Sequence, residues 1–101
     1  MDENAYETCL ALEVRKAGLS DRQQIALPVF YDNQRIDIGY RLDLLIEERV
    51  IIEVKTVDKL IDIHRAQLLS YLKLGGYRLG YLLNFNVPTL RDGIVRMVNN
   101  L

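Results

Sequence analysis

The spacing of hydrophobic and polar positions changes along the chain, and each change predicts an element. From Glu3 to Ala17 the spacing is helical, with Ala5, Leu10, Ala11, Leu12 and Glu13 as good helix formers. Winding that segment at about 100° per residue puts Glu3, Glu7, Leu10 and Val14 on one stripe, with Tyr6 and Ala17 beside it. Gly18 supplies the C-cap, and Arg15 and Lys16 lie in the last turn, where cations suit the helix dipole. Two acids therefore share the apolar stripe. Acids in a first helical turn also have an ordinary electrostatic reason to be there.

The next segments alternate with a period of two. Gln24 to Tyr31 reads as a strand carrying Ile25, Leu27, Val29 and Tyr31, and Pro28 predicts an edge position. Asp32-Asn33-Gln34 is a turn signal, and a long second strand is expected from Arg35 to Ile46, with Gly39 marking a bulge. The polar turn Glu47-Glu48-Arg49 leads into a third strand, Val50 to Val57. These three strands predict an antiparallel meander.

Helical spacing returns after Asp58, the expected N-cap of a helix from Lys59 to Leu74 that Gly75-Gly76 ends. One stripe holds Leu60, His64, Gln67, Tyr71 and Leu74, with Ile61, Leu68 and Leu72 beside it. His64, Gln67 and Tyr71 thus form a polar seam on the buried side. A core rim, with Tyr71 burying its ring and exposing its hydroxyl, accounts for the same pattern. Arg78 to Phe85 is the fourth strand, and Gly93 to Val98 a short last strand or edge segment. The order predicts an α/β (α+β) fold: a small mixed sheet flanked by helices, the second helix crossing over between parallel strands.

Length and composition narrow the class. The 101 residues fit one domain spanning 1–101, and half of them are hydrophobic. A net charge of −1 is no signature of non-specific nucleic-acid binding, though it leaves room for a local basic groove. The single cysteine, Cys9, excludes an intrachain disulfide and any CxxC metal site, and fits a reducing compartment, here the cytoplasm. No signal peptide and no run of membrane-span length is seen, so no membrane association is expected.

The third strand carries the chemistry. Glu53 and Lys55 project from one face of it, and Asp43 interrupts the apolar Leu42–Ile46 stretch before it. Desolvating such charges is costly, so their place in buried strands calls for a reason. Paired strands would let Asp43 and Glu53 bind one hard cation, Mg2+ or Mn2+, with the Val54 carbonyl as a third ligand. Such an ion can hold a phosphate and activate water, and Lys55 could orient that water or neutralise the pentavalent phosphate. Glu3 or Glu7 could add a carboxylate, and Gln67 and Tyr71 could touch the substrate. The pattern suits phosphodiester hydrolysis.

In this order the motifs resemble the PD-(D/E)XK nuclease superfamily, and within it the small bacterial GxxExxY proteins. Glu3 and Tyr6 match the ExxY half of the name motif, whose glycine has no counterpart here. Arg41-Leu42-Asp43-Leu44-Leu45 resembles the segment of the first metal aspartate, and Glu53-Val54-Lys55 stands at the ExK. His64-Arg65-Ala66-Gln67-Leu68-Leu69-Ser70-Tyr71 is similar to the helix with the QxxxY motif of RecB-like nucleases. The resemblance implies a restriction-endonuclease-like αβββαβ core. It implies Asp43 and Glu53 as metal ligands, Lys55 as the catalytic lysine, Glu3 as the helix-borne acid and Gln67 and Tyr71 as auxiliary site residues. DNA is the implied substrate.

Two other readings use the same residues. A non-catalytic nucleic-acid-binding or assembly module would use Arg41, Lys59, Arg65, Arg78 and Arg91, with His64 beside them, as phosphate contacts. A structural protein would keep Glu53 and Lys55 as a salt bridge, but a nearby Asp43 would repel Glu53 unless a cation lay between them. A homodimer would suit a nuclease that cuts both strands and would enlarge a small core.

Overall fold

The computed structural model describes residues 1–100. Its elements run α1 (Glu3–Lys16), β1 (Asp21–Ala26), β2 (Val29–Tyr31), β3 (Gln34–Ile36), β4 (Arg41–Ile46), β5 (Val50–Lys55), α2 (Asp62–Gly75), β6 (Leu79–Asn84) and β7 (Ile94–Val98), with a 3-10 turn at Leu90–Gly93. Five strands form one mixed sheet in the order β1-β4-β5-β6-β7, and β2 and β3 form a separate hairpin. Among the described residues only β5 and β6 pair in parallel, because α2 carries the chain from the end of one to the start of the other.

Central position explains the composition of β5. Four of its six residues, Ile51 to Val54, are buried, and the strand pairs with a neighbour on each side, β4 and β6. Such a strand reads as a continuous apolar run, which leaves Glu53 as the exception. The two faces of the sheet are covered by different helices. On the α2 side Leu45, Ile51 and Leu82 pack with Leu68, Tyr71 and Leu72. On the α1 side Leu44, Ile52, Val54 and Leu83 pack with Ala11. Gly80 lets α2 lie close to β6: a methyl there would stand 3.0 Å from Leu68 Cδ1 and 3.2 Å from the Ile51 carbonyl.

α1 starts as its sequence allows, with Asp2 as N-cap accepting from the Ala5 N–H at 2.9 Å. Gly18 follows the helix at φ +85°, a left-handed turn that suits glycine. The buried stripe is Glu7, Ala11 and Val14, so Ala11 belongs to the core and Glu3 lies at the exposed end.

Three expectations need correction. The strand expected over Gln24 to Tyr31 divides: β1 begins at Asp21 and ends at Ala26, and Val29 to Tyr31 belong to the hairpin. Pro28 has no N–H to continue a ladder, and the Leu27 N–H donates to the Tyr40 carbonyl instead. The long strand from Arg35 to Ile46 also divides, because Gly39 at φ +85° turns the chain instead of bulging it. The meander is therefore β1-β4-β5 with an inserted hairpin, whose turn residues Asp32 and Asn33 both have positive φ, as a two-residue type I′ turn requires. Finally, α2 starts at Asp62 and not at Lys59. Asp58 is no N-cap; its carboxylate accepts from Asn86 Nδ2 at 3.4 Å. His64 Nδ1 takes the capping role, accepting the Ile61 N–H at 3.1 Å.

Candidate active site

The ladder between β4 and β5 runs from Ile46↔Val50 to Leu44↔Ile52 and then stops. The next opposed pair would be Asp43 and Glu53. There the two carboxylates take over the backbone donors. The Asp43 N–H donates to Glu53 Oε2 at 2.8 Å, and the Val54 N–H donates to Asp43 Oδ2 at 2.9 Å. Two acids thus bridge the point where the strands part.

β1 is disturbed at the same level. Gln23 pairs with Leu44 and Ile25 with Leu42, so Gln24 faces Asp43. Gln24 has φ +53°, a left-handed conformation costing a non-glycine residue roughly 1–2 kcal/mol. Its freed carbonyl accepts from Arg41 Nη1 at 3.2 Å. Side-chain alternation slips here too. Leu42 should share a face with Leu44, yet it packs with Leu45 and Ile51 on the α2 side.

The slip brings two consecutive amides to one carboxylate. Gln23 Nε2 donates to Glu7 Oε2 at 2.8 Å and Gln24 Nε2 to Glu7 Oε1 at 2.7 Å. Gln24 Nε2 also lies 3.4 Å from Asp43 Oδ1. Glu7 is only 3 % exposed, and its charge is felt by both Asp43 and Glu53. Glu7, not Glu3, is therefore the helix acid beside the strand carboxylates. Glu3 lies further along, its carboxylate 3.4 Å from both the N–H and the hydroxyl of Thr56.

Electrostatics mark the pair. Burial, followed by the repulsion of Asp43, pushes the Glu53 carboxyl up to about 8. Burial likewise raises Asp43, against the opposing hydrogen bond from Val54. The half-buried Lys55 favours the ionised form of both acids, but less strongly than burial opposes it. The Tyr71 hydroxyl is raised by burial and by the charge of Glu53, so α2 presents it to the same centre. Gln67 Nε2 donates to that hydroxyl at 3.1 Å, and Tyr40, from the base of the hairpin, packs 5.6 Å from the Tyr71 ring.

A divalent cation suits this donor set in chemistry. Asp43 and Glu53 each commit one oxygen to a backbone N–H, and the second oxygen of Asp43 has only the Gln24 amide at 3.4 Å, so each acid has an oxygen to offer a cation. The Lys55 carbonyl accepts from Phe85 of the β6 side, so the Val54 carbonyl is directed the other way, into the gap. Among the described residues no three His, Cys, Asp or Glu side chains converge as a closed ligand cluster, so backbone or water oxygens would have to complete a shell.

The basic candidates are spread out. Lys59 and Arg65 share a cleft of about 240 Å³ with Asp58, Asn84 and Asp92, beyond the end of β5. Arg65 lies 3.9 Å from Asp62, and Arg41 and His64 have the local partners described above. Three residues carry no role assigned from the sequence: Gln23, Gln24 and Asn84. Asn84 is buried and clips the chain after Lys55, donating to the Val57 carbonyl at 2.8 Å and accepting its N–H at 3.1 Å. Polar amides inside strands were the available signal, Gln23-Gln24 in β1 and Asn84 after Leu82-Leu83.

Neither a curated protein nor a solved structure matches the chain significantly. The profile of one family does match, over residues 1–97, which takes in α1, the parted strands, α2 and β6. That coverage, nearly the whole chain, means that the protein belongs to the PD-(D/E)XK nuclease superfamily.

Proposed function

We propose that the protein is a divalent-metal-dependent nuclease that hydrolyses phosphodiester bonds of DNA, and that it is of the GxxExxY kind. The observation that carries this reading is the parting of β4 and β5 at Asp43 and Glu53, with Lys55 next on the same strand face. Members of the superfamily generally use divalent metals, and Mg2+ or Mn2+ fits oxygen donors. Asp43, Glu53 and the Val54 carbonyl would hold the ion, with Glu7 adding negative charge. When bound, it would polarise the scissile phosphate and lower the pKa of a water.

The chain's own residues do the rest. Lys55 holds the attacking water or offsets charge on the phosphoryl oxygens as it develops. Gln67 fixes the Tyr71 hydroxyl, which donates to a substrate oxygen or a bound water. Tyr6 stacks on Phe85, with centroids 4.6 Å apart, and so seats α1 and its Glu7 against the sheet. Nucleic acid would approach past Tyr40 and the hairpin, where Phe30 and Tyr31 are exposed.

The test is cleavage of labelled single- and double-stranded DNA with Mg2+, Mn2+ or EDTA, beside Lys55→Ala and Glu53→Ala proteins of unchanged fold. Cleavage that requires metal, Lys55 and Glu53 is the expected result. Cleavage that survives both substitutions, or none with any metal, would refute the reading.

A further inference from the structure

Gln24 stands out from the other polar residues of the sheet. It adopts a left-handed backbone in the middle of a strand. Its amide nitrogen lies between two acids on different elements, 2.7 Å from Glu7 Oε1 and 3.4 Å from Asp43 Oδ1. A neutral amide offers two N–H donors and carries partial positive charge on that nitrogen. It therefore faces the two carboxylates in the way a small cation would. Glu7 does not need Gln24 to stay in place, since Gln23 secures its other oxygen at 2.8 Å. Nor does core packing require this conformation, because Gln24 is an exposed residue and belongs to neither hydrophobic cluster.

We propose that Gln24 is a positioning residue that holds the place of the metal ion: its amide occupies the space between Glu7 Oε1 and Asp43 Oδ1, and a divalent cation that takes Asp43 Oδ1 displaces it. The proposal rests on the metal-dependent reading above. It reverses the sign expected of a residue that merely supports the site. A support, once removed, weakens metal binding; a placeholder, once removed, strengthens it. Losing a hydrogen bond to a charged group corresponds to about tenfold in affinity.

The experiment measures Mn2+ binding by calorimetry in the wild-type protein and in Gln24→Ala, Gln24→Gly and Gln24→Lys. Glycine is included because it tolerates φ +53°, so it separates loss of the amide from backbone strain and guards against misfolding. The alanine and glycine proteins should bind Mn2+ about tenfold more tightly than wild type. The lysine protein, with an ammonium in the same space, should bind at least about tenfold more weakly and melt higher without metal. In the wild-type protein, titration with diamagnetic Mg2+ should shift the Gln24 side-chain amide resonances and leave those of Gln23 nearly still. Unchanged or weaker binding in the alanine and glycine proteins would overturn the proposal, as would an unmoved Gln24 amide in a protein that binds metal. Absence of any Mn2+ binding by wild type would instead overturn both this proposal and the metal-dependent reading.

Discussion

Replacing Glu53 with glutamine should stabilise the metal-free protein, and more so as the pH rises. The reason is the place of Glu53 in the buried central strand, opposite Asp43. Its carboxyl rises from an ordinary value of 4.5 to about 8 on folding. The folded state therefore holds a proton that the unfolded state releases over that range. Stability is greatest below the lower value and falls as pH rises toward the upper one, then levels off. A tenfold change in proton affinity corresponds to about 1.36 kcal/mol, so the full penalty is on the order of 5 kcal/mol, most of it felt between about pH 5 and about pH 9. That is comparable to the whole stability of many small domains, roughly 5–15 kcal/mol. Asp43, also raised by burial, adds to the fall in the same direction. Glutamine is neutral throughout and its carbonyl can still accept the Asp43 N–H. The assay is urea unfolding of both proteins in EDTA at several pH values. Wild type should lose several kcal/mol from acid to alkaline pH while Glu53→Gln stays much flatter. Parallel pH profiles for the two proteins would refute the argument.

Three further outcomes follow from packing and hydrogen bonding. Gly93→Ala should lower stability by more than an ordinary surface substitution, because the added methyl would run into the backbone carbonyl of Asn84; thermal melting checks it. Asn84→Ala removes both hydrogen bonds to Val57 and should cost about 1–3 kcal/mol. Amide exchange at Val57 should then rise before global unfolding. Leu68→Ala empties a fully buried position between α2 and the sheet and should cost about 2–5 kcal/mol in chemical denaturation.

Local chemistry in the sequence determined much of the fold. Helical spacing and the glycines at 18 and 76 place α1 and the end of α2, since a left-handed turn is a property of a single residue. The stretch at 50–54, rich in β-branched residues, identifies β5, and strand alternation, a local rule, puts Glu53 and Lys55 on one face of it. The strand boundaries were less legible. Nothing local distinguishes Gly39 as a bulge from Gly39 as the turn that detaches β3 from β4, because only the register against β1 decides it.

Tertiary structure decided which acid of α1 faces the strands. Glu3 and Glu7 share a helical stripe, but β1 supplies amides only at the level of Glu7, and Glu3 falls beside Thr56. It also decided that Asp43 and Glu53 replace ladder hydrogen bonds, which required the parting of β4 from β5 and the left-handed turn of Gln24 opposite. Those features depend on contacts between residues ten to nearly twenty positions apart in sequence. Periodicity in one segment records which side chains share a face; it carries no account of where two neighbouring strands cease to pair.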